Sequence, residues 1–111
     1  FKVGEDPEYV EIDGSLKSMQ ELVHGYIEEY PIDINLSIVV NEEGKLNGMK
    51  ANRWFVYPIM GGDVDGDLLF GDFFVVGVSG DDYRSLKASD NVESLLTDES
   101  GYHFEEVHHE V

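Results

Sequence analysis

Carboxylates set the terms on which this chain can fold: 24 Asp and Glu side chains stand against 7 Lys and Arg, a formal net charge of -17 over 111 residues. Repulsion on that scale works against a compact state. It is opposed by an apolar content of 41% that includes 1 Trp, 6 Tyr and 6 Phe, enough to bury one core, so a single folded domain is expected rather than a disordered acidic tail. The same charge repels nucleic acid and anionic membrane, so direct nucleic-acid binding is excluded and a basic protein surface is the favoured large partner.

The charge is unevenly placed. Glu5, Asp6, Glu8, Glu11, Asp13, Glu21, Glu28 and Glu29 precede Pro31 against only Lys2 and Lys17, and no Lys or Arg follows Lys87. Only the middle is balanced, where Lys45, Lys50 and Arg53 face Glu42 and Glu43. The chain has no cysteine, which removes disulfides and thiolate zinc sites and suits a reducing cytoplasm. Its longest apolar runs, such as Phe73 to Val76, are far shorter than the roughly 20 residues that span a bilayer. With no leader read at the start, a bacterial cytoplasmic location is expected.

Residue period divides the chain. Phe1 to Ile12 alternates apolar and acidic residues around Gly4 and Pro7 and is read as a hairpin. Asp13, Gly14 and Ser15 then offer an N-cap, and Leu16, Met19, Leu22, Val23, Tyr26 and Ile27 recur at helical spacing, which predicts an amphipathic helix over 16–27. Leu36 to Val40 reads as a strand entering a turn, and Phe73 to Val78 as a central strand buried on both faces. Trp54 to Met60 is expected to be extended, Gly61 to Gly66 an acidic loop, and Tyr83 to Ala88 a short helix followed by weaker helical pattern at Val92 to Leu96. The architecture expected is α+β: a small mixed, mainly antiparallel sheet with one main amphipathic helix and a short C-terminal helical segment. Residues 1–98 form the domain and 99–111 an acidic, His-containing tail. Leu16, Leu22, Val23, Tyr26, Ile38, Val40, Phe74 and Val76 are the expected core.

No catalytic signature is present. There is no Gly-x-Ser-x-Gly elbow, phosphate loop or dinucleotide fingerprint, and an enzyme is the disfavoured class. Asp63, Asp65 and Asp67 open like a calcium loop, but Leu68 stands where that loop needs Gly and Phe74 where it needs a bidentate Glu. Adjacent His108 and His109 point apart on either regular structure, and with His103 they are read as a solvated end rather than a metal site. No cofactor and no metal are expected.

Four strings carry a resemblance: Asp-Gly-Ser-Leu at 13–16, Gly-Tyr-Ile-Glu at 25–28, Asn-Glu-Glu-Gly-Lys-Leu-Asn-Gly at 41–48, and Gly-Asp-Phe-Phe-Val at 71–75. In this order they resemble a family of small uncharacterised domains found in bacteriophages and mobile elements, over approximately Lys2 to Leu96. The resemblance implies a setting, a phage-borne or mobile-element accessory protein, more than a chemistry. Asp72 departs from it, since the family commonly has a small hydroxyl residue there.

Two functional expectations follow. The first is a non-enzymatic acidic protein that occupies a basic surface of a host or phage protein, with DNA mimicry or inhibition of a defence protein as its sharper form; its contact residues would be Glu28, Glu29, Asp63, Asp65, Asp67, Asp81 and Asp82. The second is a small-ligand binder, for instance of a nucleotide signal, using the donor-rich segment of Asn41, Lys45, Asn47, Asn52, Arg53 and Trp54. A homo-oligomer is compatible with both.

Overall fold

The computed structural model describes residues 1–107; His108 and His109 lie outside the described residues. Its elements are α1 (Leu16–Val23), β1 (Ile27–Pro31), β2 (Leu36–Asn41), β3 (Ala51–Pro58), β4 (Val64–Phe70), β5 (Phe74–Ser79), β6 (Asp82–Arg84), α2 (Ser94–Thr97) and β7 (His103–Glu106). The fold is α+β, as expected, but the strands divide between two sheets. One has the order β1-β2-β5-β6 and the other β4-β3-β7, with every pairing antiparallel.

β2 explains the layering. All six of its residues are buried, so both faces must be covered. Leu36, Ile38 and Val40 pack with Phe55, Leu69, Phe73 and Phe104 between the sheets, whereas Val39 packs with Met19, Val23 and Phe74 beneath α1. The result is three layers, helix on sheet on sheet. Aromatic rings thicken the inter-sheet core: Phe1 stacks on Phe73 at 4.7 Å, and Phe104 lies against both.

α1 begins where the sequence places it, with Ser15 Oγ accepting from Ser18 N and Asp13 accepting from Ser15 N. It ends four residues early, at His24 in the left-handed region. The cause is tertiary. Asn41 Nδ2 donates to Val23 O, and its amide sits where a Cβ on Gly25 would be, 2.6 Å away. The chain then turns into β1 and leaves Tyr26 exposed; Leu16, at the start of the helix, is exposed too, so neither is core. Leu22 and Val76 are half-buried; Val23, Ile38, Val40 and Phe74 are buried.

Four other local expectations are corrected. Residues 1–12 form no hairpin: Phe1 and Phe73 exchange backbone bonds, but from Asp6 to Ile12 no backbone hydrogen bond joins this segment to other described residues. Pro7 has no N–H, and Tyr9, Val10 and Ile12 are all exposed, so the alternation has no face to bury. Tyr83 to Ala88 is not a helix, because Gly80 at φ 62° and Asp81 close a two-residue hairpin that pairs β6 with β5. Residues 64–66 of the expected acidic loop belong to β4, which puts Asp65 and Asp67 on an edge strand. Residues 103–106, expected in a solvated tail, form β7, where His103 and Phe104 are buried against β3.

Candidate functional site

The donor-rich segment does not assemble a patch. Asn41 is a helix terminator whose Oδ1 also accepts from Glu43 N. Asn52 Nδ2 donates to Phe1 O and Gly71 O, at 3.0 and 2.8 Å. Arg53, 7% exposed, donates through its guanidinium to Asn52 O, Asn52 Oδ1 and Glu5 O, and that group lies over the Phe1 ring at 5.7 Å. Three of the six residues are therefore spent on backbone carbonyls and on one another. Lys45 and Asn47 stand on an exposed turn closed by Asn47 N to Glu43 O, and Trp54 is partly exposed on β3 opposite Glu105.

The singled-out acids fall into separate groups. Glu28 and Glu29 occupy opposite faces of β1 because successive strand residues alternate. Glu29 accepts from Ser37 Oγ and Tyr83 OH at 2.6 and 2.7 Å, and burial together with that carboxylate pushes the Tyr83 hydroxyl up to about 12. Glu28 instead turns toward the second sheet. Its hydrogen bond to Tyr30, with burial and the added charge of Asp67, holds the Tyr30 hydroxyl at about 12. Asp67 is also 3.5 Å from the Tyr57 hydroxyl, whose pKa is raised by burial and by Asp67 and Asp65. Glu28, Asp65 and Asp67 thus share one edge with Tyr30 and Tyr57. Asp63 lies at the exposed start of that edge, and Asp81 and Asp82 sit apart at the β5–β6 turn. Among the described residues no three acidic or imidazole groups are arranged to hold a metal ion.

Two histidines tie elements together, and neither role was visible in the sequence. His24 Nε2 lies 2.9 Å from Asp72 Oδ2, while Asp72 Oδ1 accepts from Val3 N. Burial resists ionisation of Asp72, but the His24 contact and the Val3 N–H together hold its pKa below the usual range. His103 Nδ1 donates to Gly101 O, and its Nε2 lies 2.9 Å from Glu105 Oε2. Burial opposes charging that ring, yet these acceptors outweigh it and raise its pKa.

A further concavity lies elsewhere. A cavity of about 790 Å³ is roofed by residues 5–14, walled by Met19 and Leu22 of α1 and by Leu95 and Leu96 of α2, and floored by the start of β5. Its size falls within the roughly 300–1,000 Å³ of small-molecule sites. The roof is fastened lightly: Tyr9 OH donates to Glu93 Oε1, and Glu5 O accepts from Arg53.

Residues 1–98 match the family described as a domain of unknown function, DUF3846. The chain belongs to that family. The DUF3846 match contains both walls, the roof and the floor of the cavity, and it contains the Glu28, Asp65 and Asp67 edge. It stops short of β7, although in this chain β7 completes the second sheet and delivers Phe104 to the core. No curated protein and no solved structure matches the chain. No helix among the described residues is long and apolar enough to cross a membrane.

Proposed function

We propose that this DUF3846 protein is a non-enzymatic accessory protein of a phage or mobile element that acts in the bacterial cytoplasm by binding a basic protein surface. The observation that carries the reading is the edge where Glu28, Asp65 and Asp67 stand beside Tyr30 and Tyr57, on a chain with a net charge of -17. Carboxylates beside tyrosines suit a partner that presents Arg and Lys: the acids attract the cations, and the rings supply area and cation–π contact. The mobile-element setting rests on the ordered strings at 13–16, 25–28, 41–48 and 71–75. Imitation of DNA is the narrower form, in which the partner's site is one that normally holds phosphates.

The test is capture from bacterial lysate at low and high salt, with duplex DNA as competitor, using the native chain and the Glu28→Gln/Asp65→Asn/Asp67→Asn variant. Screening shortens from about 10 Å at 0.1 M to about 3 Å at 1 M salt, so a partner held by this edge is lost at high salt and is weakly retained by the variant. DNA displaces it only if mimicry is the mechanism. A partner that survives high salt and binds the triple variant normally refutes the proposal.

A further inference from the structure

The cavity beneath residues 5–14 combines negative charge, which the acidic edge shares, with an enclosed apolar surface and a lightly held roof, which the edge does not have. Its inner surface is apolar, built by Met19, Leu22, Val76 and Leu95 among others. Its charged side chains are one-sided, with seven carboxylates against the two cationic side chains of Lys2 and Arg84. Arg84 is already committed, since both terminal nitrogens lie 2.9 Å from Asp90 oxygens. The field at the mouth is therefore negative, and an anionic ligand such as a nucleotide is repelled there.

The roof supplies the way in. Between Asp6 and Ile12 it makes no backbone hydrogen bond to other described residues, and segments with few such bonds open at low free-energy cost. Tyr9 to Glu93 is the latch. That hydrogen bond holds Glu93 below the usual carboxylate range, so the latch residue is ionised at neutral pH and presents charge at the entrance.

We propose that this cavity is a binding site for a small cationic amphiphile, an apolar body with an ammonium-type head. The body lies against α1, β5 and α2, and the head sits among the carboxylates at the mouth. This site is distinct from the acidic edge and does not depend on the protein partner proposed above.

Decyltrimethylammonium below its micellar concentration is the probe, with decyl sulfate and tetramethylammonium as matched controls. Binding is read on the purified chain from the methyl NMR signals of Met19, Leu22 and Leu95 and from melting, which a ligand of the native state raises. The expected result is saturable, single-site shifts of these methyls with decyltrimethylammonium, and affinity at least about tenfold weaker for both controls. Leu96→Trp, at a rim residue already 47% exposed, fills the wall without disturbing the core and abolishes the shifts. Ile34→Trp, 87% exposed and outside the cavity, leaves them intact, as does the Glu28→Gln/Asp65→Asn/Asp67→Asn variant. Equal affinity for decyl sulfate, unaltered binding in Leu96→Trp, or no saturable shift in the native chain overturns the proposal. None of these outcomes bears on lysate capture, and loss of the lysate partner has no consequence here.

Discussion

Replacing Asn52 with Ala distinguishes a ligand-facing amide from a structural one. The side chain is 2% exposed and takes part in three hydrogen bonds: to Phe1 O, to Gly71 O and from Arg53 NH1. Phe1 O keeps a second donor, Phe73 N, and the Arg53 nitrogen keeps Asn52 O, so neither is orphaned by the change. Gly71 O loses its side-chain donor inside the protein. At about 1 kcal/mol net for each neutral bond and somewhat more for the charged one, Asn52→Ala costs about 3 kcal/mol. With an unfolding entropy of about 2.1 cal/mol/K per residue over 111 residues, that is a fall of about 13 °C in Tm. Lys45→Ala and Asn47→Ala, on the exposed turn of the same segment, change stability by less than about 0.5 kcal/mol. Thermal and urea melts followed by far-UV circular dichroism measure all three. If Asn52→Ala matches the exposed-turn variants to within about 0.5 kcal/mol, the bonding assigned to Asn52 is wrong and its amide is free for a ligand.

Two further predictions concern the core and acid stability. Ile38→Ala, at a site with no solvent exposure between the sheets, costs about 2–5 kcal/mol in urea melts, while Leu16→Ala and Tyr26→Ala, both more than half exposed, each cost under about 1 kcal/mol. The Arg84 guanidinium and the Lys87 N–H hold Asp90 at about 2; because its folded pKa is depressed, its contribution is present above about pH 3.8 and is lost as pH falls toward 2. Asp90→Asn therefore flattens the loss of stability between pH 4 and pH 2 relative to the native chain, and an unchanged acid limb in melts across that range contradicts the assignment.

The elements legible in the sequence are those whose causes are local. β2 and β5 are dense apolar runs, and the start of α1 carries its cap in Asp13 and Ser15. The end of α1 was not legible, because Leu22, Val23, Tyr26 and Ile27 keep helical spacing while the terminating group, Asn41, comes from another strand. β4 hid behind its charges: Asp65 and Asp67 alternate with Gly66 and Leu68, which is strand period, but at the exposed end of this edge strand the acids take the places of apolar residues on the face that Leu69 and Phe55 bury, and so resemble a loop. β6 carried the usual two-residue hairpin signal at Gly80 and Asp81, and the competing helical pattern of Tyr83 to Ala88 obscured it.

The candidate sites divide along the same line. Asn52 and Arg53 looked like free donors because nothing within a few residues explains them; their partners Gly71, Phe1 and Glu5 lie 19, 51 and 48 residues away, in segments only the fold brings near. A buried amide or guanidinium whose acceptors are main-chain carbonyls is stabilising in proportion to how completely it is satisfied, and completeness leaves nothing for a ligand. The same accounting gives the acids their separate roles. Glu29, with two hydroxyls donating to it, fastens β1 to β2 and β6, whereas Glu28 and Asp67 converge on Tyr30 at an edge open to solvent. The cavity had no signature in the sequence, since its roof read as a hairpin. Once that segment proves to have no strand partner, Tyr9, Val10 and Ile12 no longer belong to a sheet face, and the roof that carries them loses few hydrogen bonds by opening.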